Sequence, residues 1–236
     1  MGVAAVTSVT DLFGRRVVIA LGLLLGAHAG ALAQETPRVF VGSIVGVSTL
    51  SADVRSVSNG NEAHIGMYKP ENGLAINTFA GIHLWEYFSL QGNYMWNRND
   101  LTLISSLVRP QAGGFYESTH VSAQHAFVID GLLYFRRRDS ALRPYLGTGM
   151  CVVHFNSRTV AASATGLVNV AAGQIASTQI ALRSAVGIDL WMNRYVALRY
   201  SFSETISANP ISPHLMPMGE RGLANFQNLF GFVARF

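Results

Sequence analysis

"SLQGNYMWN", residues 89–97, puts Leu90, Tyr94 and Trp96 on one parity and Ser89, Gln91, Asn93 and Asn97 on the other. A period of two with one apolar and one polar face is the pattern of a half-buried β-strand, not of a helix. The alternation continues outward in both directions. Upstream, Leu74, Ile76, Ala80, Ile82 and Leu84 are in phase. Downstream, Val121, Phe127, Ile129, Leu133 and Phe135 oppose Ser122, Gln124 and Asp130, and Ile180, Leu182, Val186, Ile188 and Leu190 oppose Gln179, Arg183 and Asp189. Val196, Leu198, Tyr200 and Phe202 then oppose Arg199, Ser201 and Ser203, and Phe226, Phe230, Phe232, Ala234 and Phe236 oppose Asn225, Gln227 and Arg235. Two more segments, 40–47 and 145–155, have strand composition but are Gly-rich and apolar on both parities.

These segments predict eight strands, joined alternately by short connections (85–87, 136–143, 192–195) and long ones (48–68, 99–119, 158–174, 208–222). Short turns at one end and long loops at the other describe an all-β, eight-stranded antiparallel up-and-down transmembrane β-barrel, with both termini on the periplasmic side. Half the residues are hydrophobic and only 13% are charged, yet no apolar run after residue 33 is long enough for a spanning helix, which argues against an inner-membrane protein. In hydrocarbon an unpaired strand edge has no water to bond, so the sheet must close and the first and last strands must pair. Tyr94 and Trp96 at one strand end, and Phe135, Tyr195 and Phe236 at periplasmic ends, suit interfacial aromatic girdles. Alternation alone leaves one alternative open, a soluble periplasmic ligand-binding barrel with an apolar interior.

The start of the sequence reads as an export signal. Arg15 and Arg16 precede the apolar run 17–25, and Ala31-Leu32-Ala33 supplies a small-residue cleavage site. The expectation is a cleaved signal peptide over 1–33 and one barrel domain over 34–236. Cys151 is the single cysteine, so no intrachain disulfide is possible. A formal net charge of +4 is too mild to argue for nucleic acid, and the cluster Arg136-Arg137-Arg138, answered by Asp139, reads as a solvated turn.

The final segment resembles the last strand of outer-membrane proteins. "FAGIHLWEYFSLQGNYMWNRND" (79–100), "LRPYLGTGMCVVHF" (142–155) and "NFQNLFGFVARF" (225–236) together look like the small outer-membrane β-barrel family that includes the OmpA membrane domain, OmpX and porin-like proteins. The resemblance implies that Phe230, Phe232 and Phe236 form the C-terminal signal read by the barrel-assembly machinery. It also implies outer-membrane lipid and lipopolysaccharide as surroundings, and it covers nearly the whole mature chain while saying little about activity.

An eight-stranded interior is just wide enough to be filled by side chains, which argues against a general-diffusion pore. Gln124, Asp130, Arg183, Asp189 and Arg199 are the expected lumen polar network, paired because buried charges need partners; a narrow porin-like path through them is the variant reading. The second function class is a lipid A-modifying enzyme. His120-Val121-Ser122 superficially resembles the His-x-Ser motif of the lipid A deacylase family, and Ser203 and Glu204 lie in a segment faintly like its active strand. However, Phe202 precedes Ser203, and His120 and Ser122 fall on the lumen parity, so the expectation is no enzyme. The histidines His64, His83, His120, His125, His154 and His214 form no H-x-H pair, so neither metal nor cofactor is expected. Lys69, Arg98, Arg109, Arg158 and Arg221 lie at or beyond the outer strand ends, where they could meet lipopolysaccharide phosphates.

Overall fold

The computed structural model describes residues 38–60, 62–106, 115–164 and 173–236; the expected signal peptide lies outside them. Eight strands close a ring: β1 (Val39–Leu50), β4 (Gly73–His83), β5 (Phe88–Ser106), β6 (Phe115–Tyr134), β7 (Leu142–Ala164), β8 (Gln174–Trp191), β9 (Val196–Ala208) and β10 (Gly222–Arg235). All neighbours are antiparallel, and the first and last pair as closure requires, from Phe40↔Arg235 to Leu50↔Asn225. A second hairpin, β2 (Asp53–Asn59) with β3 (Glu62–Pro70), occupies the connection expected to be a plain loop; β3 pairs with the outer end of β5 from Gly66↔Ser105 to Pro70↔Leu101.

The registers fix the barrel's geometry. Starting at Phe40, the direct partners run Gly81, Gln91, Asp130, Gly149, Arg183, Thr205 and Asn225, and return to the first strand at Leu50, ten residues above the start. Eight strands staggered by that amount tilt about 40° from the axis and leave a radius of about 8 Å, narrow enough for side chains to fill.

The outward face is apolar through a band of that tilted wall. On β7 it runs from Leu142 through Leu146, Met150 and Val152 to His154; on β6 it runs from Phe135, just past the strand's end, through Leu133, Ile129 and Phe127 to His125. Ten residues at this tilt rise about 25 Å, the height of a hydrocarbon belt. Such a wide apolar surface is immersed in lipid in a stable protein. Tyr94 and Trp96 lie in the middle of β5, not at its end, because β5 continues past the belt to Ser106. Within the two long connections 99–119 and 158–174, the described residues 99–106, 115–119, 158–164 and 174 are strand: β5, β6, β7 and β8 project beyond the belt as a wall.

The interior is layered. The periplasmic end holds Phe40, Phe79, Leu132, Tyr134, Tyr145 and Trp191; the outer end holds Leu50, Tyr68, Leu101, Phe155, Ile211 and Leu223. This explains why 40–47 reads as apolar on both parities: Phe40 and Ile44 fill the lumen while Val45 and Val47 face outward.

Candidate functional site

Near the periplasmic end, Asp189 and Arg199 are direct register partners on adjacent strands, both inward and almost fully buried. Arg199 Nε donates to Asp189 Oδ1 at 2.6 Å and Nη2 to Oδ2 at 2.7 Å, while Nη1 donates to Gln91 Oε1 at 2.7 Å. Tyr134 accepts from Arg199 at 3.0 Å and donates to Asp189 Oδ2 at 3.2 Å. The guanidinium also sits 4.7 Å from the Phe79 ring centre and 4.9 Å from that of Tyr145, so each face and edge of the cation is occupied. Below it, Arg143 lies 3.8 Å from the Tyr134 ring centre and is itself buried. Asp189 and Arg199, two of the expected lumen residues, thus lie inside an aromatic seal at the bottom of the lumen that also carries Arg143.

Halfway up, Asp130 pairs with Arg183, although β7 lies between their strands. Gly149 stands in register with both, and a Cβ there would overlap the Asp130 carboxylate. Glycine on the middle strand is therefore what lets the arginine reach across. Asn93 donates to Asp130 Oδ2 at 3.0 Å and accepts from Asn77 at 3.2 Å and Gln91 at 2.6 Å. Around this pair Asp130 Oδ1, Arg183 Nε, Asn77 Oδ1, Ser203 Oγ and Gln227 Oε1 are buried without a protein partner.

Higher still the layer is neutral. Ser48 donates to Asn225 Oδ1 at 2.7 Å, Asn225 donates to Gln124 at 2.7 Å and to Asn97 at 3.1 Å, and Asn97 donates to Asn99 at 2.6 Å. Gln124 belongs to this amide network, away from the ion pairs. The outer mouth is closed by the connection between β9 and β10. Asn209 Oδ1 accepts from the Ile211 and Ser212 N–H groups at 3.0 and 3.2 Å, and its amide donates to Tyr68 at 2.9 Å. Ile211 is fully buried; Met216 N–H donates to Ser105 Oγ at 2.7 Å, and Glu220 N–H donates to the Asp53 carboxylate. Burial beneath this cap pushes the Tyr68 phenol above its ordinary pKa.

The remaining expected residues fall on other surfaces. Phe230 and Phe232 face outward on β10, and Phe236 is exposed. Lys69, Arg98, Arg158 and Arg221 are exposed, with Arg98 3.4 Å from Asp100; Arg109 lies outside the described residues. Arg98 follows Trp96 on the outward face of β5, just above the apolar belt. His120 is buried, bonded to Ser118 at 2.9 Å and Ser157 at 3.2 Å, while Ser122 donates to Ser157 at 2.8 Å. Ser203 points into the lumen and Glu204 out of it, so these adjacent residues occupy opposite faces of β9. No group of three metal-ligating side chains occurs among the described residues.

Sequence reasoning missed Arg143, Asn77, Gln91, Asn93, Asn97, Asn99, Asn225 and Gln227 as network members. Parity could have found Arg143, which shares the inward phase of Tyr145 but was absorbed into the arginine-rich turn. In that turn Arg138 is half-buried and donates to the Trp85 carbonyl at 2.8 Å, so it is not simply solvated.

No family model matches the chain, and no curated protein matches its sequence. Among solved structures, the outer membrane protein OprG from Pseudomonas aeruginosa aligns at a TM-score of 0.53 and 10% identity, over 86% of this chain and 97% of that one. The chain has the small outer-membrane β-barrel fold. The N-terminal β-barrel domain of Pseudomonas aeruginosa OprF aligns at a TM-score of 0.45 and 11% identity over 86% of this chain and all of that one, and Neisserial surface protein A at 0.45 and 12% over 84% and 97%.

Proposed function

We propose that this chain is an integral protein of the bacterial outer membrane whose barrel is a sealed scaffold for a cell-surface cap, neither a pore nor an enzyme. One observation carries the reading: the lumen is filled along its height, from the Arg143–Tyr134 seal through two ion pairs and an amide layer to Ile211 of the outer connection. A lumen so occupied transmits no hydrated ion without breaking buried charge pairs, each break costing several kcal/mol. Arg98 and Arg158, exposed above the apolar belt, suit lipopolysaccharide phosphates, and the outward alternation of Phe230 and Phe232 suits recognition by the barrel-assembly machinery. Against catalysis, the hydroxyl–imidazole chain of Ser122, Ser157, His120 and Ser118 faces inward and is buried, with no access for a lipid chain.

The test is planar-bilayer recording of the purified, folded full chain. The expected record has no discrete conductance steps; steady steps that vanish on heat denaturation would overturn the sealed-scaffold reading. A mass spectrum of lipid A from cells carrying the protein is expected to be unchanged, and a lost acyl chain would restore the enzyme.

A further inference from the structure

Among the described residues, the lipid-facing belt carries one charge in its interior. Glu204 is on the outward parity of β9, between Phe202 and Ile206, eight residues above Val196 at the periplasmic end. That places it about 20 Å up a belt about 25 Å high. A carboxylate facing hydrocarbon is unfavourable and marks a function when it is retained.

Its neighbours are polar as well. Ser184 is its direct partner on β8, and Asn228 lies one pleat below its partner Phe226 on β10. Both are exposed on the same outer surface. Tyr200 donates to Asn228 Oδ1 at 2.9 Å, which leaves the Asn228 amide N–H groups directed to no protein group. Neither the Glu204 carboxylate nor the Ser184 hydroxyl has a hydrogen-bond partner among the described residues. The stagger of the barrel puts Ser184 about 3 Å and Asn228 about 2 Å below Glu204, so the two donors flank the acceptor at nearly one height.

From this arrangement we infer that the β8–β9–β10 face binds a second copy of this chain within the membrane, with Glu204 of each copy accepting from the Ser184 hydroxyl and Asn228 amide of the other. The inference rests on the outer-membrane reading above. A two-fold axis parallel to the barrel and beside β9 sets β8 of one copy against β10 of the other. Ser184 then meets Asn228 of the second copy at matched height, and each Glu204 reaches donors across the axis. The surrounding surface supplies bulk, because Phe202 and Phe226 stack at 6.3 Å and Tyr200, Phe230 and Phe232 are exposed beside them. No cationic side chain of this chain faces outward at that depth on these three strands, so the acceptor has only neutral donors to meet, which a like copy provides.

The test uses Ile206→Cys, one pleat above Glu204, in outer membranes treated with a mild oxidant. Cys151 is buried and reports no cross-link. The expected result is a disulfide-linked dimer for Ile206→Cys, with Ile129→Cys on the far side of the barrel as the non-linking control. Adding Glu204→Leu should lower the cross-linked fraction at least fivefold, and Glu204→Gln, which retains an acceptor, should restore most of it. Equal cross-linking at positions 206 and 129, or a yield untouched by Glu204→Leu, overturns the inference. Heat-modifiable mobility and sedimentation with outer membranes are scored on the same samples. A properly inserted barrel that fails to cross-link refutes the dimer alone, whereas a chain absent from the outer membrane refutes the underlying reading.

Discussion

The lumen holds two arginine–aspartate pairs, and they are embedded differently. Arg199 and Asp189 have both carboxylate oxygens and all three guanidinium nitrogens bonded, with aromatic rings over the cation. Arg183 and Asp130 join across an intervening strand and leave Asp130 Oδ1 and Arg183 Nε without protein partners. A buried charge is tolerable in proportion to how completely its lone pairs and protons are met. The lower pair is therefore a lock built into the aromatic seal. The upper pair is a softer joint among other unmet polar atoms, Asn77 Oδ1, Ser203 Oγ and Gln227 Oε1.

The largest expected effect follows from breaking the lock. Arg199→Met should destabilise the barrel by about 3–5 kcal/mol, because Asp189 is left buried with only the Tyr134 hydroxyl. Urea unfolding in detergent micelles, followed by tryptophan fluorescence, measures it. A loss below about 1 kcal/mol would mean that water reaches Asp189 and that the seal is not one. Asp130→Asn should cost less, about 1–3 kcal/mol, since Asn93 and Arg183 keep an acceptor and part of the site was already unmet. If the two losses prove equal, the distinction between lock and joint fails.

The outer cap should be weaker than either. Asn209→Ala removes the acceptor for two backbone N–H groups and the bond to Tyr68, an expected loss of about 1–2 kcal/mol. Its local signature is faster amide exchange at Ile211 and Ser212, with exchange near Arg199 unchanged. Acceleration at both sites would show that the cap and the lower seal open as one unit.

Much of this contrast was visible in the sequence, and the reason is periodicity. Asp130, Arg183, Asp189 and Arg199 all sit opposite apolar runs, so their inward direction follows from the pleat alone. Which acid meets which base does not follow. Pairing depends on register, and the Asp130–Arg183 contact depends on a glycine two strands' spacing makes necessary at position 149. The amides Asn97 and Asn225 were unremarkable as polar-face residues until the stagger brought them to one height, where Asn225 donates to Asn97. Arg143 was hidden by its neighbours Arg136, Arg137 and Arg138, which made a turn out of what is the first inward residue of β7. The β2–β3 hairpin was hidden for another reason: its residues Ser56, Ser58, Ala63 and Gly66 are small, the two strands pair with each other, and only residues 66–70 are tied to the outer end of β5.

The smallest expected effect is the most discriminating. Replacing both members of the upper pair, Asp130→Leu with Arg183→Met, removes two buried charges together with the two atoms that lacked partners, and leaves a single donor, the Asn93 amide, without its acceptor. Apolar replacement of an incompletely satisfied ion pair is often neutral or stabilising, so the double variant should lie within about 1 kcal/mol of the parent and above Asp130→Asn. The matching replacement below, Asp189→Leu with Arg199→Met, should not recover in this way. There the guanidinium also serves Gln91 Oε1 and Tyr134, and it fills the space between Phe79 and Tyr145. Methionine supplies the bulk but not the donors, so two buried acceptors lose their bonds at once. If both double variants recover, the charges are interchangeable filling. If only the upper one does, the lower pair is the structural seal and the upper pair is retained for something other than stability.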